Sequence, residues 1–195
     1  MFALAEARGL DLVSQMARLR VRTGWERLVV PAFVYFFALL YPFRWSNRPG
    51  ARTAAAAGGC SLVRRTALEG AGGVDAIRGA VIDDVALARL LKRAGSATFL
   101  GLADRVDSVR PYPDLKSLWH MVSRSAYAQL RHSAPLLAGT VAGLALVFLV
   151  PPAALVAGAV ARDAPTALLG AAAWLVMAGT YAPMLRYYRQ PLPAA

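Results

Sequence analysis

The 195 residues predict an α/β domain followed by an α-helical transmembrane hairpin, and three observations carry that prediction. Two uncharged runs, 134–161 and 164–185, are separated only by Arg162 and Asp163. Before them lies a polar region in which Gly-rich turns alternate with short strand-like and helix-like segments. The hydrophobic content, 57%, exceeds what a small soluble domain carries, so part of the chain belongs in lipid.

The N-terminal segment "MFALAEARGLDLVSQMARLR" carries Glu6, Arg8 and Asp11 where a secretory signal needs an unbroken apolar stretch, so no signal peptide is expected. It reads as a chain entered midway. Leu12, Gln15, Met16 and Leu19 fall on one helical face and Arg18 and Arg22 on another. That pattern predicts an amphipathic helix, lying on anionic lipid or packed on a protein core. Residues 29–43, "VVPAFVYFFALLYPF", are uncharged but number only 15, too few for a comfortable span. They are expected to be interfacial or re-entrant, within an interfacial helical region of about 10–48.

Further on, "AAAAGGCSLVRR" reads as a small-residue strand and turn. Residues 84–94 read as a helix with Leu87, Leu90 and Leu91 inward and Gly95 at its end. "ATFLGL" and "RVDSVR" read as two short strands. Residues 115–132 read as a second interfacial helix, with Leu118, Trp119, Val122, Ala126 and Leu130 along one side. The domain so predicted covers 1–133 and the hairpin 134–189, with spans of about 134–156 and 164–185. A run near 20 residues suffices to cross roughly 30 Å of hydrocarbon, and Pro151 and Pro152 are expected to mark the end of the first span. Two buried helices of a soluble bundle are the competing account, disfavoured by the length of both uncharged runs.

Of the 22 Lys and Arg residues, 19 precede Ala134 and two follow Leu185. The positive-inside bias then places both flanks of the hairpin in the cytoplasm, with the Arg162 turn outside. Cys60 is the only cysteine, so no intramolecular disulfide can form, and its surroundings show no metal-ligand spacing. A net charge of +11 suits anionic lipid, a phosphorylated small molecule or nucleic acid. Nucleic acid is set aside, because the basic residues adjoin membrane-seeking segments and no recognised binding motif accompanies them.

Asp83 and Asp84 stand directly before the predicted helix. Carboxylates there cap free N–H groups and interact well with the helix dipole; a catalytic base is the other reading. The second gains from an ordered set: a turn at Gly58 and Gly59, the pair Arg64 and Arg65, the turn at Gly72 and Gly73, the two acids, and a downstream basic helix. On that helix His120, Arg124, Tyr127 and Arg131 share one face, a stripe suited to lipid phosphates or to the diphosphate of a sugar donor.

The order "GGC.LVRR", "GG", "IDD..LA", "W.M..R.AY.QLR.S" and then apolar runs resembles the C-terminal half of a membrane-bound family 2 glycosyltransferase. It is most similar to the hopanoid-biosynthesis-associated (hopene-associated) subgroup, which "GWERLVVPAFVYFFALLYPFRWSN" and "AAAAGGC" also resemble. The resemblance implies a partial GT-A-like α/β domain lacking its nucleotide-binding half. It implies that Asp84 is the general base toward the acceptor hydroxyl, that Asp83 supports it, and that Gly58 and Gly59 lie in a loop near the acceptor. In the family's Gln/Arg-x-x-Arg-Trp motif Arg124 matches, while Met121 and Ser125 replace the other signature residues, and His120 and Arg131 are expected to bind substrate beside it. No Asp-x-Asp, the family's donor- and metal-holding motif, occurs in these residues. The resemblance therefore implies no cofactor or metal within this chain, and a divalent metal (Mg or Mn) for a full-length parent. The chain is expected to be a fragment, inactive alone.

The partners expected are membrane lipid, a nucleotide-sugar donor only together with the missing half, and a partner chain supplying that half. The expected location is the bacterial inner membrane with the polar part cytoplasmic. The alternative function is a non-catalytic basic membrane protein that binds anionic lipid or a partner subunit.

Overall fold

The computed structural model describes residues 1–130 and 132–191, in two compact units, 1–125 and 126–195. In the first unit, a short helix α1 (Phe2–Arg8) stops at Gly9, whose φ of 58° is the left-handed turn that glycine adopts at no steric cost. Strand β1 (Leu12–Arg18) follows, then helices α2 (Gly24–Leu40) and α3 (Phe43–Ser46). Strand β2 (Ser61–Val63), helix α4 (Arg65–Gly70), a 3-10 turn at Val74–Ile77, helix α5 (Asp83–Arg93) and strand β3 (Thr98–Asp107) come next, and helix α6 (Leu115–Gln129) runs past the end of the first unit at Ser125. The sheet has the order β2-β1-β3, with β2 antiparallel and β3 parallel to the central β1.

Residues 12–18, expected in an amphipathic helix, are instead this central strand. Leu12, Val13 and Ser14 are fully buried, so both faces of the strand are covered and the alternation that marks a half-exposed strand is absent. The two short strands expected at 97–110 are one continuous β3. Its pairing with β1 steps from Met16–Leu102 to Arg18–Asp107, a bulge that breaks the sequence pattern without ending the strand. The stretch 54–57, expected as a strand, is a buried segment without regular secondary structure, outside the sheet.

Helix α2 starts with a capping box at Thr23–Glu26 and ends just before Pro42. Glu26 is completely buried. Its Oε2 accepts from the Arg22 and Thr23 N–H groups at 2.8 and 2.9 Å, and its Oε1 from the Tyr112 N–H at 3.0 Å. Burial raises this carboxyl, but the three backbone donors, with Arg20, outweigh it and bring its pKa from 4.5 to about 2. The chain before α6 is thereby pinned to the head of α2.

The second unit contains α7 (Ala134–Ala161) and α8 (Ala164–Tyr187), two helices long and apolar enough to cross a membrane. They form a closely packed pair joined at Arg162 and Asp163. A Cβ on Gly158 would overlap the Ala167 backbone, and one on Gly170 would overlap the Leu155 N–H and lie 2.8 Å from the Pro151 carbonyl. Small residues at such crossings let the backbones approach. Pro151 and Pro152 were expected to end the first helix; they lie inside α7, which runs on to Ala161. Prolines are tolerated within membrane-spanning helices, and Gly170 of α8 packs against the turn that follows them, at Pro151, Ala154 and Leu155.

Candidate active site

The site is built on the first turn of α5. That helix buries Val85, Ala88 and Leu91, at the three- and four-residue spacing of one face. Of these, Ala88 and Leu91 form a core with Leu12, Ala54 and Ala56. The alanines allow the segment 54–57 to lie close against Ala88, and burying a leucine such as Leu91 contributes about 2 kcal/mol.

Ser14 on β1 fixes that segment from its other side. The Ala57 N–H donates to Ser14 Oγ at 2.7 Å, and Ser14 Oγ lies 3.0 Å from the Ala57 carbonyl, which the Ser61 hydroxyl also reaches. Gly58 follows directly, and its N–H donates to Asp84 Oδ2 at 2.8 Å. A Cβ on Gly58 would stand 3.4 Å from that same oxygen. A side chain at 58 would therefore stand in contact with the carboxylate.

Asp84 Oδ1 accepts the Val85 N–H at 2.7 Å, and Asp83 Oδ1 accepts the Asp84 N–H at 2.9 Å. These two bonds satisfy first-turn amides, so the acids do serve the helix end. The bond from Gly58, 26 residues away in sequence, is one that no cap requires. Each Asp84 oxygen holds a single amide and retains acceptor capacity. The carboxyl is half-buried while Asp83 is exposed. Burial pushes the Asp84 pKa above the ordinary value and the Asp83 charge adds to the rise, against the lowering by Gly58 and Val85. A raised pKa makes a carboxylate a stronger proton acceptor.

At the other end of α5, Lys92 Nζ donates to the Ser46 and Thr53 carbonyls at 2.7 and 2.8 Å. Burial pushes its pKa down. Helix α5 is thus tied to the segment 46–58 at both ends. Asn47 reinforces this, with its amide paired to the Leu100 backbone of β3 at 2.6 and 2.8 Å.

Of the residues singled out from the sequence, Gly58, Asp83 and Asp84 come together, with Gly59 beside them. His120 and Arg124 are exposed on α6 and neither hydrogen-bonds to Asp84. Arg124 has no carboxylate partner among the described residues. Arg131 lies outside the described residues. Trp119, expected on the packed side of α6 with Leu118, is instead 68% exposed while Leu118 is buried. Sequence reasoning missed Ser14, Glu26 and Lys92. Only Glu26 had a local signal, the Thr-x-x-Glu spacing of a capping box. A cavity of about 200 Å3 lined by Phe2, Ala5, Leu10, Leu62 and Arg64 lies elsewhere and includes neither acid.

Among the described residues no three His, Cys, Asp or Glu side chains gather to hold a metal. Among the described residues Asp84 and Asp83 have no third such ligand beside them, and a hard divalent cation takes six or more oxygens, so these two acids alone do not make a resident Mg or Mn site.

A small mixed α/β unit that presents an acid pair at a helix head, in a chain that also carries two apolar helices, suits a transferase working near a membrane. The chain belongs to glycosyl transferase family 21, whose sequence pattern matches residues 36–194. That match gives no support to a hopanoid subgroup. Neither the curated proteins nor the solved structures contain a match to this chain.

Proposed function

We propose that this chain is the acceptor-side, membrane-attached part of an inverting glycosyltransferase that moves a sugar from a nucleotide donor to a lipid hydroxyl, in hopanoid-associated lipid synthesis. The observation that carries the reading is the Gly58 N–H to Asp84 bond. It fixes a half-buried carboxylate with a raised pKa beside a glycine, where a side chain would stand in contact with it.

In the reaction Asp84 takes the proton of the acceptor hydroxyl. The acceptor oxygen forms a bond to the anomeric carbon as the bond to the diphosphate oxygen breaks, and the diphosphate leaves with the electron pair. A single displacement of this kind inverts the anomeric centre. Asp83 sustains the basicity of Asp84 through its charge, and Arg124 offers a cation to the leaving diphosphate. The donor is held by residues beyond these 195, since no Asp-x-Asp occurs here. The 195 residues alone are expected to transfer no sugar. The apolar pair α7 and α8 crosses the bacterial inner membrane, with the basic, polar part in the cytoplasm.

The test uses membranes carrying the full-length protein that contains these residues, incubated with a panel of radiolabelled nucleotide sugars and extracted with organic solvent. Label is expected in the lipid fraction with at least one donor. No lipid label with any donor, together with salt-sensitive binding to anionic vesicles, would support the non-catalytic alternative, which the basic charge of +11 favours.

A further inference from the structure

A second surface of the first unit has no role in that chemistry. Helix α2 is apolar on two sides. Glu26, Val30 and Val34 are buried, whereas Trp25 and Leu28, 50 and 65% exposed, and Leu39, 51% exposed, recur at helical spacing on the other side. Trp45 of α3, in the next helix along the chain, is also exposed, at 59%. A helix that is hydrophobic all round is normally buried all round. One whole side of α2 therefore lacks a cover.

The charges of the same stretch of chain select the cover. Between residues 27 and 68 there is no Asp or Glu. Arg27, Arg44, Arg48 and Arg52 are all exposed, and none has a carboxylate partner among the described residues. Exposed Trp rings flanked by unpaired guanidiniums match a headgroup layer, where indoles favour the interface and cations meet phosphates. A helix of 17 residues is about 25 Å long, short of the roughly 30 Å hydrocarbon core, so it lies along the surface instead of crossing it.

We infer that the Trp25, Leu28 and Leu39 side of α2, together with the exposed Trp45 and arginines of the same stretch of chain, is a docking surface for an anionic lipid bilayer. The docked segment is tied to α5, because Lys92 holds the Ser46 carbonyl at the end of α3. Asp84 and Lys92 are eight positions apart on one helix, about 12 Å. A lipid-docked α2–α3 therefore holds the first turn of α5 at a fixed short distance from the headgroups. This inference does not depend on Asp84 being a base.

The test is spin labelling of the full chain in a Cys60→Ser background. Leu28→Cys and Leu39→Cys report on the surface and Arg65→Cys is the aqueous control, in vesicles of phosphatidylcholine with phosphatidylglycerol. Labels at 28 and 39 are expected to collide with oxygen severalfold more, and with a water-soluble nickel chelate severalfold less, than the label at 65. Arg44→Gln with Arg48→Gln, or vesicles of phosphatidylcholine alone, should reduce that contrast. Labels at 28 and 39 as open to nickel as the control would overturn the inference. Labels shielded from both reagents would also overturn it, since protein would then cover the face. Neither outcome touches sugar transfer.

Discussion

Three side chains carry most of the behaviour expected of individual residues. Asp83 raises the Asp84 pKa by like charge, so Asp83→Asn should move the acidic limb of the pH–rate profile of the full-length enzyme toward lower pH. A limb that does not move would show that the two acids are not coupled. Glu26 works in the opposite sense. Its folded pKa of about 2 lies below the ordinary 4.5, so its contribution to stability is complete above about pH 4.5 and is lost as pH falls toward 2. Glu26→Gln removes the charge that three backbone N–H groups share and should cost roughly 2 kcal/mol or more at neutral pH. Thermal melts in detergent read that cost, and the variant should lose less further stability on acidification than the wild type. The Thr23-Gly24-Trp25-Glu26 spacing held a signal for the cap that went unread, whereas nothing local signals the Tyr112 N–H that also uses Glu26, because that partner lies 86 residues away.

At the scale of elements, legibility followed periodicity. Helix α5 was readable because Leu87, Leu90 and Leu91 recur at helical spacing and Gly95, with φ of 87°, closes it. Strand β1 was not, because its burial on both faces depends on neighbours. Ser14, a polar residue, is buried only because Ala57 answers its hydroxyl. The prolines of α7 misled for a related reason, since the turn that follows them packs against Gly170 on another element. The hairpin supplies its own test. Gly170→Leu places side-chain atoms into the Leu155 and Pro151 backbone and should destabilise the pair by roughly 3 kcal/mol. Gly143→Leu, where a Cβ meets nothing within 4 Å, should be nearly neutral. Equal thermal shifts for the two variants would contradict the packing described here.

For the whole molecule, composition and charge foretold two apolar helices and a basic polar part, and the motif order foretold the glycosyltransferase class that the family 21 match establishes. The site was legible only in outline. Asp84 and Gly58 could be named from the order of motifs, but their direct bond depends on Ser14, Lys92 and the alanines of 54–57, none of which signals its partner locally. Central to the account is Asp84 as the proton acceptor, and the transfer rate of Asp84→Asn in the full-length enzyme tests that most directly. Asparagine keeps an oxygen to receive the Gly58 N–H but has negligible basicity, so the fold should persist while the rate falls about 100- to 10,000-fold. A rate equal to that of the wild type, in protein shown to be folded, would contradict the assignment and leave Asp84 as a helix cap alone.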